Sequence, residues 1–186
     1  MAKIPYASVV GSLIYAQICT RPDISFADGM LGRYQSNPGM SHWKVVKRVL
    51  RYLQGTKDYQ LTFRRTDNLE VTGYSDSDFV GCSDSRKSIS GYVFLLASGA
   101  ISWKSMKQTI TASSIMEAEF VGCFEATVHG LWLINFISEL GVVDSIERPL
   151  RIYYDNSSVV FFSKNDRYSK GAKHIELKYL SVNEKV

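Results

Sequence analysis

The sequence predicts a mixed α/β fold, a sheet with packed helices, preceded by an all-helical block. Three observations carry that expectation. Apolar residues recur at helical spacing from residue 6 to 54, they shift to strand-length runs after Lys57, and one long helical pattern then spans Ile115 to Leu140. A long helix between a hairpin and a later strand acts as a crossover, which places that strand in the same sheet and makes the sheet mixed. The boundary falls near residue 58, giving a helical subdomain over 1–58 and an α/β domain over 59–186.

In the first block three apolar runs, Tyr6 to Ile18, Ile24 to Tyr34 and Trp43 to Leu53, read as helices. Arg21-Pro22-Asp23 puts a proline near a helix start, Asn37-Pro38-Gly39 breaks the chain, Ser41 is suited to cap the third helix, and Gly55 to end it. Lys44, Lys47, Arg48 and Arg51 share that helix with Val45, Val49, Leu50 and Leu53. They read either as a solvated face opposite an apolar one or as a grip on phosphates.

In the second block Leu61 to Arg65 and Glu70 to Asp76 read as strands, and the apolar run Gly91 to Ala97 is too short for an ordinary helix. Ser98-Gly99 is a suitable two-residue turn, returning the chain through Ala100 to Lys104. Ser113 or Ser114 can cap the long helix and Gly141 can terminate it. Pro149 to Asp155 reads as a buried strand, followed by a short helix through Phe162 and a helical segment from about Lys173.

With 186 residues, 45% hydrophobic and 22% charged, the chain is long enough for a real core without disulfide staples. Its 3 cysteines are widely spaced without a C-x-x-C pair, which suits free thiols better than disulfides or zinc. No stretch reads as a bilayer span and the N-terminus lacks a secretory apolar segment, so the expected address is the cytoplasm or nucleus, with no membrane partner. A formal net charge of +4 favours a polyanionic partner, because cationic side chains near phosphates release counterions.

Three carboxylates occupy informative positions: Asp76 at the end of the first domain strand, Glu119 early in the long helix, and Asp155 at the end of the later strand. If those strands lie adjacent and parallel, their C-terminal ends meet where the helix can deliver Glu119. Clustered carboxylates repel one another unless a cation neutralises them, and hard oxygen ligands suit Mg²⁺ or Mn²⁺. Spacing alone leaves another reading open, in which the aspartates start loops or cap helices and Glu119 is an exposed helical residue.

Five ordered segments carry a resemblance: Gly73 to Gly81, Ser88 to Phe94, Ile101 to Gln108, Ser113 to Phe120 and Tyr154 to Ser157. Together they resemble the RNase H domain of copia-type LTR retrotransposon polyproteins. Upstream, Tyr6 to Ser12, Thr20 to Ile24 and His42-Trp43 through Thr56 resemble the reverse-transcriptase tail that precedes it. The resemblance implies an RNase H-like mixed sheet, with Asp76, Glu119 and Asp155 as metal-holding and catalytic residues. Glu117 and Asp78 are the neighbouring alternatives. It also implies that Lys104, Lys107, Gln108, Ser114 and Asn156 contact the backbone of a nucleic acid duplex.

The sequence ends where such a domain would continue into a further strand and a helix bearing a fourth acidic ligand. It therefore reads as a C-terminally truncated version, with His174 and Glu176 as candidate substitutes for that ligand or as members of a plain surface helix. An unpaired edge at the Leu150 to Asp155 strand would favour a homodimer. The chain is also similar to plant RNase H-family antiviral proteins derived from such elements. The implied activity is two-metal-ion endoribonuclease cleavage of RNA in A-form duplexes, double-stranded RNA first and RNA/DNA hybrid second. The alternative is a noncatalytic duplex-RNA-binding protein left from a retrotransposon.

Overall fold

The computed structural model describes residues 4–65, 69–82, 84–141 and 150–155, and the chain divides into two compact units, Met1–Thr62 and Phe63–Val186. The expected helices after residue 156 and around Lys173 lie outside the described residues.

In the first unit α1 spans Tyr6–Thr20, α2 Ser25–Leu31 and α3 Met40–Gly55. Tyr6, Val10 and Leu13 repeat at helical spacing and join Ile24, Leu31, Val46 and Val49 in one core. The Tyr6 hydroxyl donates to the Leu31 carbonyl at 3.0 Å, so the buried ring keeps a partner for its polar end. The run expected as one helix from Ile24 to Tyr34 is divided, with 3-10 turns at Pro22–Ile24 and Gly32–Tyr34 flanking α2. Arg21 ties this corner to the end of α3: its guanidinium meets Asp23 at 2.7 Å and Thr56 Oγ1 at 2.6 Å, while the Tyr52 hydroxyl donates to Asp23 at 2.8 Å.

Two expectations for α3 need correction. Gly39, not Ser41, is its N-cap, and the Gly39 amide donates to His42 Nδ1 at 2.9 Å. The imidazole reaches back one turn and accepts from the N-cap amide, the part that an N3 side chain plays in a capping box. Val45 and Leu50, expected inside, are 38% and 41% exposed, whereas Val46 and Val49 are buried. The apolar face is therefore rotated from the one the sequence suggests.

The second unit is built on a sheet in the order β3-β2-β1-β4, with β1 at Thr72–Cys82, β2 at Lys87–Leu96, β3 at Gly99–Lys107 and β4 at Arg151–Tyr154. β1 pairs antiparallel with β2 and parallel with β4, and β2 pairs antiparallel with β3. Helix α4, Ile115–Glu139, is the crossover from β3 to β4 that the element order anticipates. Gly141 at φ +62° follows its C-cap, the left-handed stop that glycine accepts without strain.

Leu61 to Arg65, expected as a strand, forms none; the Arg64 amide makes a single ladder-like bond to the Ala97 carbonyl at 3.2 Å. The β2–β3 turn is Ala97-Ser98, one residue earlier than expected, with φ of +51° and +64°. Two positive φ values match the right-handed twist of the flanking strands, and that requirement outweighs the cost of placing non-glycine residues there. Asp76, expected at a strand end, lies inside β1, because the antiparallel ladder with β2 continues past it to Asp78 while the parallel ladder with β4 stops at Ser75.

Long and apolar enough by length and composition to cross a membrane, α4 goes beyond what composition led us to expect. Here it supplies the core: Ala126, Leu133, Ile134 and Ile137 pack with Val71, Tyr92 and Phe94. Close approach depends on two glycines. A Cβ at Gly130 would lie 2.8 Å from Phe94 Cε1, and one at Gly73 would lie 2.6 Å from the same atom. The fully buried Phe94 ring thus sits between a strand and a helix that both lack a side chain at the contact.

Candidate metal centre

The pleat of β1 turns Gly73, Ser75 and Ser77 inward and leaves Tyr74, Asp76 and Asp78 exposed. In β4 the same alternation leaves Tyr153 exposed beside Tyr74, their rings stacked at 5.3 Å. The Ser75–Tyr154 pair ends the parallel ladder, so Asp76 and Asp155 are the next residues on two neighbouring strands. Glu119 enters from the second turn of α4 and is buried. One carboxylate oxygen from each of Asp76, Glu119 and Asp155 lies within 4.8 Å of the others.

That spacing matches the chemistry of a hard cation, whose opposed oxygen ligands stand roughly 4–5 Å apart across the ion. Burial, with Asp76 and then Asp155 adding like charge, pushes the Glu119 carboxyl up to about 7. Without a cation, a proton is what relieves this crowding. The residues present therefore form a donor set that can hold a metal ion, with one hard oxygen ligand from each of three carboxylates.

The surroundings explain how the three are held. Ser114 caps α4, its hydroxyl accepting from the Glu117 amide at 3.2 Å. Glu117 turns back so that its Oε2 accepts from the Ser113 amide and hydroxyl, each at 2.6 Å. This use at the helix start sets Glu117 apart from the carboxylate group. Tyr154 precedes Asp155 and points its hydroxyl toward Cys123 and Thr127 on α4; burial, foremost, and Cys123 push it well above the ordinary tyrosine range, against an opposing hydrogen bond with Thr127. β4 is thereby fastened to the helix one residue before Asp155.

Among the other expected site residues, Asp78 is exposed in β1, with its carboxylate filling the space beside Gly81. Lys104 and Lys107 are exposed on β3. Gln108, expected against a duplex backbone, is 1% exposed, and its amide nitrogen bonds inside the protein. Asn156, His174 and Glu176 lie outside the described residues. Sequence reasoning did not single out Ser77, Ser90, Tyr154 or Thr127. Strand alternation could have flagged the two serines as inward polar residues beside a ligand strand.

The sequence matches no family model. It is 44% identical over 186 residues to the retrovirus-related Pol polyprotein from transposon TNT 1-94 of Nicotiana tabacum, covering 100% of this chain and 14% of the polyprotein. A second such polyprotein, from transposon RE2 of Arabidopsis thaliana, is 35% identical over 181 residues, covering 97% of this chain and 12% of the polyprotein. The secreted RxLR effector protein 161 of Plasmopara viticola is 45% identical over 133 residues, 72% of this chain and 94% of that protein. Its whole length is thus similar to one stretch of transposon Pol polyproteins, which supports a retrotransposon origin. The chain spans about one seventh of the tobacco polyprotein and less of the Arabidopsis one. The match to the tobacco polyprotein runs through both compact units.

Proposed function

We propose that this chain is an RNase H-type, metal-dependent endoribonuclease that hydrolyses RNA strands in A-form duplexes, double-stranded RNA foremost and RNA/DNA hybrid next. The observation that carries the proposal is the convergence of Asp76, Glu119 and Asp155 to within 4.8 Å. An antiparallel three-stranded meander followed by a helical crossover to a parallel strand supports an RNase H-like reading of the sheet. Similarity to a stretch of transposon Pol polyproteins supports an enzymatic reading of the acidic group.

Bound by these carboxylates, Mg²⁺ or Mn²⁺ would supply Lewis acidity toward phosphate oxygens and lower the pKa of a coordinated water. The chain's own residues provide the placement. Asp76 and Asp155 are exposed, so they can meet a phosphodiester arriving from solvent, and Glu119 closes the inner side, where it is buried. A net charge of +4, with Lys104 and Lys107 exposed on β3, favours approach of a polyanionic duplex. A wide minor groove lined with 2′-hydroxyls would distinguish RNA from DNA at such a site.

The test is to incubate the full chain with labelled double-stranded RNA, RNA/DNA hybrid and DNA, each with Mg²⁺ or Mn²⁺. Cleavage is expected for double-stranded RNA, then hybrid, and not for DNA, with loss of cleavage in Asp76→Asn. Equal cleavage by wild type and Asp76→Asn would reject the site. Binding without cutting would select the noncatalytic duplex-RNA binder instead.

A further inference from the structure

Gln108 directly follows β3, and its backbone amide donates to the Ser88 carbonyl at 2.9 Å, which holds the residue against β2. Its side chain turns inward, where Nε2 lies 3.1 Å from Ser77 Oγ, 2.8 Å from Ser90 Oγ and 2.7 Å from the Ala118 carbonyl. Two of those partners adjoin the acidic group: Ser77 follows Asp76 in β1, and Ala118 precedes Glu119 in α4. One amide nitrogen therefore joins the strand that carries one carboxylate to the helix that carries another.

The orientation of that amide is determined by its surroundings. Exchanging its nitrogen and oxygen would set two acceptors, Oε1 and the Ala118 carbonyl, against each other at hydrogen-bond distance. In the orientation observed Oε1 is buried without a hydrogen-bond partner among the described residues. An orphaned acceptor disfavours folding, and an apolar side chain of similar size would avoid it. What the glutamine adds is a set of directional bonds that meet beneath the carboxylates. The helix is pressed close at the same place: a Cβ at Gly122 would lie 3.4 Å from Ser90 Oγ and 3.6 Å from the Asp76 carbonyl.

We propose that Gln108 is a positioning residue that fixes the separation of Asp76 and Glu119 and thereby sets how tightly the acidic group binds a divalent cation. The proposal rests on the metal-centre reading above. Its probe is Mn²⁺ alone, titrated calorimetrically into the full chain and into Asp76→Asn, Gln108→Met and the double variant Ser77→Ala/Ser90→Ala. Gln108→Met keeps the volume and removes the bonds, and is expected to weaken Mn²⁺ binding about 10–100-fold. The double serine variant keeps the Ala118 bond and is expected to weaken binding less, by roughly 3–10-fold.

A purely structural glutamine would lower the melting temperature and leave Mn²⁺ affinity unchanged; that result overturns the proposal. Should Gln108→Met fail to fold, the double serine variant decides, and unchanged affinity there is equally fatal. If wild type and Asp76→Asn both bind no Mn²⁺, the metal centre itself is wrong. If wild type binds, Asp76→Asn does not, and Gln108→Met matches wild type, only the role of Gln108 is lost.

Discussion

Each of the two compact units buries a carboxylic acid, and the two differ in why the acid is raised. In the helical unit Asp28 on α2 is 2% exposed, both its oxygens lack hydrogen-bond partners among the described residues, and burial pushes it up to about 6. In the sheet unit Glu119 is 7% exposed and rises to about 7 through burial reinforced by Asp76 and Asp155. Asp28 therefore resembles a solitary defect that protonation relieves. Glu119 belongs to a convergent set, which a cation can neutralise while satisfying three carboxylates at once. A raised acid by itself does not mark a functional site; like charges held together by the fold point to one.

Breaking the sheet-unit set should give the largest effect. Replacing Glu119 with Gln is expected to lower RNA cleavage on the order of 10³-fold, measured as single-turnover rates with Mn²⁺. The Asp28→Asn protein should cut at the wild-type rate, and equal losses in the two variants would erase the distinction between the acids. Next in size, Glu119→Gln should weaken Mn²⁺ binding by about 10-fold or more, with Asp28→Asn unchanged in the same calorimetric titration.

Packing gives a third contrast. Gly130→Ala must displace the buried Phe94 ring and is expected to cost about 1–3 kcal/mol. Amide hydrogen exchange in the full chain should then accelerate in β1, β2 and α4. Exchange in α1–α3 should stay as it is, because their core is a separate cluster. Uniform acceleration across both units would show that they unfold as one.

The smallest effect concerns Asp28 and pH. Its folded-state pKa is raised from 3.8 to about 6, so between those values the folded chain holds a proton that the unfolded chain releases. Stability of the helical unit should accordingly fall as pH rises through that window and level off above it. Asp28→Asn should remove the slope and stabilise α1–α3 by about 1–2 kcal/mol at neutral pH, less than the full linkage because the amide also lacks partners. Exchange rates of α1–α3 amides at pH 4.5 and 7 would measure this, and an unchanged slope in the variant would exclude Asp28 as its source.

Most of the described elements, the crossover between hairpin and final strand, and the three acids at the right points along the chain are written in the sequence. Periodicity, turn residues and capping residues act locally, so a linear reading reaches them. Tertiary structure decided matters that depend on atoms far apart in the chain. It moved the hairpin turn to Ala97-Ser98, dissolved the Leu61 to Arg65 strand, rotated the buried face of α3 and took Gln108 from the surface into the core. It also separated Glu117, drawn into the helix cap, from Glu119, drawn into the acidic group. Those two residues are alike in type and two positions apart, and only the packing of α4 on β1 and β4 determines which one meets the other carboxylates. That packing is settled by side-chain volumes across the sheet, a quantity that no local pattern contains.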